Sequence, residues 1–206
     1  MNFIINKYKK AFSFSKQNIM KLFWICTGAF LILTVISYFV FEKMPHAAEN
    51  MLHYFLEMIE EKGVLTADGN IDPVKLFLNN FQATFIAVFM GFIPFLFFQV
   101  WFVLATNAVI IGAVMQYSLA NGMSGLVFLA SLLPHGIFEL PAVFFSVALS
   151  IHLCISLSKK IIGTEMDFKL VTIDVLWCYG LITIPLLAIA AVVETYLTPI
   201  IIKLVI

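Results

Sequence analysis

His135 and Glu139 stand four residues apart inside the apolar stretch LLPHGIFELPAV, and Glu194 ends a second apolar run, AIAAVVE. Ionisable groups are expensive in hydrocarbon, about 2.5–3.5 kcal/mol for an ionised Asp or Lys at mid-depth even on insertion scales, so three of them call for partners. One imidazole and two carboxylates can occupy three corners of a zinc tetrahedron, with water in the fourth. A protonatable glutamate beside a histidine can instead relay protons. A helix starting at His135 would also turn free N–H groups toward an anion such as a lipid phosphate. The plain alternative is a polar clamp, in which the three groups satisfy one another and hold two helices together at ~1 kcal/mol per contact.

Two helices must position these residues. Pro134 and Gly136 flank His135, which predicts a break there and a new helix beginning at His135. On that helix His135, Glu139, Ala142, Ser146 and Ser150 share one face, while Phe138, Pro141, Phe145 and Leu149 form a bulky side suited to lipid. In the last apolar run Gly180, Thr183, Leu187, Ala190 and Glu194 recur at helical spacing and offer a matching, mostly small surface.

Composition says what surrounds those helices. The chain is 62% hydrophobic and 12% charged, about half the charged fraction usual in a soluble domain. Leu76 to Phe138 contains no Asp, Glu, Lys or Arg, which identifies a polytopic membrane protein. Formal net charge is zero, so nothing favours nucleic acid as a partner. Cys26, Cys154 and Cys178 lie in apolar segments without a CxxC pair and read as buried thiols rather than disulfides or thiolate ligands. No Ser-His-Asp spacing, phosphate loop or HExxH pattern is present, so no enzymatic activity is expected.

The spans follow from hydropathy and lysine placement. Leu22–Phe41 is a first span, and Lys7, Lys9, Lys10, Lys16 and Lys21 ahead of it make residues 1–21 a cytoplasmic N-terminal segment. The acidic stretch Glu42–Asn79, which includes Asp68, belongs outside. Within it Leu52, Phe55, Leu56 and Ile59 keep helical spacing, Gly63 sits where a C-cap would, and Asp72-Pro73 starts another helix. The stretch is therefore expected to form a small helical hairpin over the membrane. Phe81–Tyr117 is long enough for two short spans, with Thr106 and Asn107 as their inner turn. ANGMSG interrupts the run on the outer side, and Leu126–Leu133, too short to span, is then interfacial or re-entrant. His135–Ser158 makes the fourth span, followed inside by Lys159, Lys160 and Lys169, and Leu176–Val193 makes the fifth, bent around Gly180 and Pro185. The expected fold is all-α: a multi-pass bundle of about five transmembrane helices in a bacterial cytoplasmic membrane, N-terminus inside. In that arrangement the fourth helix starts, and the fifth ends, at the outer side, so His135, Glu139 and Glu194 meet at one depth. His152 and Asp174 fall at inner helix ends as caps; Asn79, Asn80 and Asn107 read as caps or turn formers at span ends. No tandem repeat and no inverted halves are visible.

The stretch LPHGIFELPA, Leu133 to Ala142, resembles the signature of the stage II sporulation protein M (SpoIIM) family. Pro134, Gly136 and Glu139 belong to that match, supported by Asn79 and Asn80, Gly91, Asn107 and Gly112. AAVVETYLTP resembles the family's E-x-x-x-T-P ending, giving Glu194, Thr198 and Pro199, whereas Ala108 stands where the family often shows Gly. The resemblance implies a single SpoIIM-like transmembrane domain over residues 22–206, outer loop 42–79 included, with five helices and no known catalytic activity. It further implies a scaffold or complex subunit in envelope remodelling or sporulation, with membrane lipid, other envelope proteins or a second copy as partners. Bacteriocin maturation or immunity and a transport component for a small solute, peptide or lipid are the alternatives. Zinc at His135, Glu139 and Glu194 is the one cofactor the residues suggest.

Overall fold

The computed structural model describes residues 2–66, 70–94 and 97–206; Asp68 of the acidic loop and Phe95 and Leu96 of the long apolar run lie outside them. Among the described residues the regular structure is helical, apart from one isolated bridge between Leu65 and Ile71. Helix α1 (Asn2–Phe14) passes through a π-helical turn at Ser15–Ile19 into α2 (Met20–Glu42), so the lysine-rich start and the first span form one rod. Lys10 Nζ donates to Asp174 Oδ1 at 2.7 Å, and Lys7 Nζ lies 5.0 Å above the Trp177 ring. Asp174, expected as a helix cap, is thus the anchor for α1.

Helix α3 (Pro45–Glu61) ends as the sequence predicts. Gly63, at φ 63°, lets its own N–H reach Glu60 O and the Val64 N–H reach Ile59 O, at 2.8 and 3.1 Å. The chain then pairs Leu65 with Ile71, and Asp72 Oδ1 accepts from Val74 and Lys75 N–H to cap α4 (Pro73–Met90). Rather than resting only over the bundle end, α3 packs along α5 (Phe97–Ala120), with Ala48 against Ala113.

The turn between α4 and α5 corrects one expectation. It falls at Gly91–Pro94, not at Thr106–Asn107, which lie within α5. Thr106 Oγ1 and Asn107 Nδ2 donate to the carbonyls of Phe102 and Val103 one turn back, each at 2.8 Å, so these donors find partners inside a helix and require no turn. A Cβ on Gly91 would stand 2.6 Å from Ser150 O. The turn therefore sits tight against the central helix, where a larger residue would not fit.

That central helix is α6 (Gly125–Ile161), begun by Ser124, whose Oγ accepts from Val127 N–H. At 37 residues it is about 55 Å long, well beyond the ~30 Å hydrocarbon thickness. It runs unbroken through Pro134, Gly136 and Pro141, so Leu126–Leu133 is not a separate interfacial piece and no helix starts at His135. Membrane helices tolerate proline when their surroundings compensate for the lost hydrogen bond. The anion-binding reading loses its free N–H groups accordingly. The predicted lipid side fails too: Phe145 and Leu149 are buried, as is every residue from Phe144 to Ile151. Helices α2, α4, α5 and α8 (Ile184–Val192) all pack on α6, and a helix surrounded by neighbours has no lipid face at that level. His152 is not a cap either, since α6 continues past it and its ring meets Phe14 edge-on, centroids 5.5 Å apart.

The last rod comprises α7 (Phe168–Cys178), a π turn at Tyr179–Thr183, α8, a second π turn at Val193–Leu197, and α9 (Thr198–Val205). Each π turn precedes a proline, Pro185 or Pro199, which cannot supply a backbone N–H. Among the described residues four helices are long and apolar enough to cross a membrane: Ile5–Glu42, Val100–Ala120, Gly125–Ile161 and Phe168–Val205. The remaining member of the expected five is α4, whose 18 residues include Lys75, Asn79, Asn80 and Gln82, and it falls outside that set.

Candidate functional site

One helical turn apart on α6, His135 and Glu139 point to the same side, with Ser131 one turn before them. Below them Ala142, Ser146 and Ser150 are buried, as are Thr183, Leu187 and Ala190 of the last rod. Ser146 Oγ donates to Ala142 O at 2.8 Å and stands 3.4 Å from Thr183 Oγ1. This close small-residue contact brings the end of the rod alongside the start of α6. Glu194 then lies in the π turn at Val193–Leu197. The Thr198 N–H and hydroxyl both reach back five residues to Val193 O, and Pro199 follows without an N–H of its own. This turn sets the Glu194 carboxylate against His135, with Nδ1 facing Oε2. Neither atom has another hydrogen-bond partner among the described residues.

Glu139 lies within electrostatic reach of both and interacts with the Asn80 side-chain amide. Asn79 Nδ2 donates to Asn80 Oδ1 at 3.3 Å, extending the chain of contacts along α4. These residues line a cavity of about 400 Å³ together with Asn107 and Ser131, a volume within the usual range for small-molecule sites. Its walls come from α4, α5, α6 and the Glu194 turn, and it is covered by Phe55, Leu56 and Ile59 of α3 and by the bridge residues Leu65 and Ile71. The helices thus bring His135, Glu139 and Glu194 together, and the three asparagines with them.

Pro134 and Gly136 lie within α6, Thr198 is buried at the start of α9, and Pro199 is in that helix's first turn, all beside the cavity rather than among its lining. Ser131 and the α3 cover were missed in the sequence. The 131–135–139 spacing carried the signal for Ser131, but the expected break at Pro134 concealed it. Among the described residues no group of three or more His, Cys, Asp or Glu side chains is placed to hold a metal ion. The arrangement can share a proton between imidazole and carboxylate, and it can present carboxylate and amide oxygens to a bound group.

A protein-family model described as Stage II sporulation protein M matches residues 26–199. Neither a curated protein nor a solved structure matches the chain significantly.

Proposed function

As the chain belongs to the stage II sporulation protein M family, we propose that it is a non-enzymatic membrane subunit whose working part is the cavity at His135, Glu139 and Glu194. The observation that carries this reading is the gathering of the charged trio and three asparagines, drawn from four elements, around one space. A pure scaffold has no use for such a space, whereas a binding or transport component does. In this reading α4 is a fifth span, the lysine-rich end is cytoplasmic, and the cavity admits a small ligand from the outer side.

The test is access. With the three native cysteines replaced by alanine, Ser131→Cys is expected to react with a small membrane-impermeant thiol reagent, while Ala142→Cys, at a fully buried position, stays unreacted. Failure of Ser131→Cys to react, in folded protein, would remove the binding reading. A second reading is favoured by the family description: a scaffold within a sporulation or envelope-remodelling complex. It predicts stable co-purification of envelope proteins that survives filling the cavity with Ile110→Trp.

A further inference from the structure

Resting on that cavity reading, we infer that its ligand is a primary ammonium group carried on a short apolar body. The first argument is charge. Among the described residues, two glutamates and one histidine are the ionisable ones lining the space, and no lysine lines it. Glu194 balances His135 when the imidazole is protonated, so an ionised Glu139 leaves the lining anionic, and with no lysine lining it the space disfavours carboxylates and phosphates.

The second argument counts hydrogen-bond partners. The hydroxyl of Ser131 donates to Phe128 O at 2.7 Å, and Asn107 Nδ2 donates to Val103 O. Asn79 Nδ2 donates to Asn80, and the Asn80 amide in turn serves Glu139. Each of these groups places one hydrogen on a partner within the protein, and each asparagine amide keeps one further N–H, fewer than the lone pairs left open. Asn79 Oδ1 and Asn107 Oδ1 accept no hydrogen bond from the described residues, and carboxylate oxygens remain available on Glu139 and Glu194. A space with surplus acceptors selects a ligand rich in donors, and an ammonium group supplies three N–H bonds with a positive charge. A metal ion would satisfy the charge but finds no suitable ligand group among the described residues. The rest of the lining, including Phe55, Ile59, Ile111 and Phe128, is apolar and suits an alkyl chain.

The ammonium can come from a free amine or from an aminolipid headgroup. The full-length Ser131→Cys protein is placed in nanodiscs of phosphatidylcholine and phosphatidylglycerol, and its thiol-modification rate is read with n-hexylammonium, hexanoate or 1-hexanol added. Hexylammonium is expected to slow modification roughly tenfold at concentrations where the other two do nothing. Glu139→Gln and Asn107→Leu are each expected to weaken that protection by roughly tenfold. Asn107→Leu is the milder change, because its amide bonds only its own helix, so it serves if Glu139→Gln fails to fold. Equal protection by hexanoate or hexanol would overturn the ammonium inference and leave the cavity reading intact. Reaction unaffected by any of the three probes would overturn it as well. A cysteine that never reacts would instead bring down the cavity reading beneath it. Repeating the experiment in phosphatidylethanolamine discs assigns the source: protection without added amine identifies the headgroup, and unchanged reactivity identifies a free amine.

Discussion

At the scale of residues, the contact between His135 and Glu194 is where removal of one group most directly strands another. Both side chains are largely buried, and neither facing atom has a second partner among the described residues. His135→Ala and Glu194→Gln are each expected to cost ~1–3 kcal/mol, because each leaves a desolvated polar atom behind. The double variant is expected to fall short of the sum by more than about 0.5 kcal/mol. Denaturant or thermal unfolding in mild detergent measures this cycle, and additive losses would show that the two groups act independently. Much of this pairing was legible in the sequence. Helical periodicity put His135 and Glu139 on one face, and the small residues of the two long runs implied the approach of Glu194. The roles of Asn80 and Asn107 were not legible. Asparagines in apolar runs read as turns, and only packing reveals that one serves a glutamate while the other bonds its own helix.

At the scale of elements, close approach decides what is tolerated. A Cβ on Gly112 of α5 would stand 2.6 Å from Ser37 Cβ and 2.8 Å from Thr34 O of α2, so Gly112→Ala must push two backbones apart. The expected loss is ~1–3 kcal/mol, seen as a lowered unfolding midpoint. Gly28 has open space around its Cα, and Gly28→Ala is expected to be neutral or stabilising through helix propensity. Equal destabilisation by both would argue against α2–α5 packing at Gly112. The central position of α6 gives a second contrast. Phe145→Ala is expected to cost ~3–5 kcal/mol, whereas Ile137→Ala, 61% exposed on the same helix, changes unfolding little. Helix ends obeyed local rules and could be read directly, as at Gly63 and Asp72. Helix continuity could not. Proline and glycine punctuate soluble helices, but α6 runs on through Pro134 and Pro141 with α2, α4, α5 and α8 packed along it.

At the scale of the whole molecule, charge is distributed by end. Lys9, Lys10, Lys16, Lys159, Lys160 and Lys169 cluster around α1, the end of α6 and the start of α7, while Glu49, Glu57, Glu60 and Glu61 lie on α3. Lysine excess retained on the cytoplasmic side predicts that α3 and the cavity beneath it face outward. Cys26, Cys154 and Cys178 are buried, so they offer little background to a surface thiol reagent. Glu60→Cys, at an exposed position, is expected to react from outside intact cells, and Lys160→Cys only after permeabilisation. The opposite pattern would turn the cavity toward the cytoplasm. The geometry of His135, Glu139 and Glu194 would survive that reversal, because it is set by α6 and the Glu194 turn and not by the membrane. The source of the ligand would not. An outward cavity draws on solutes and headgroups of the outer leaflet, and an inward one on those of the cell, so this labelling experiment fixes which pool any bound amine must come from.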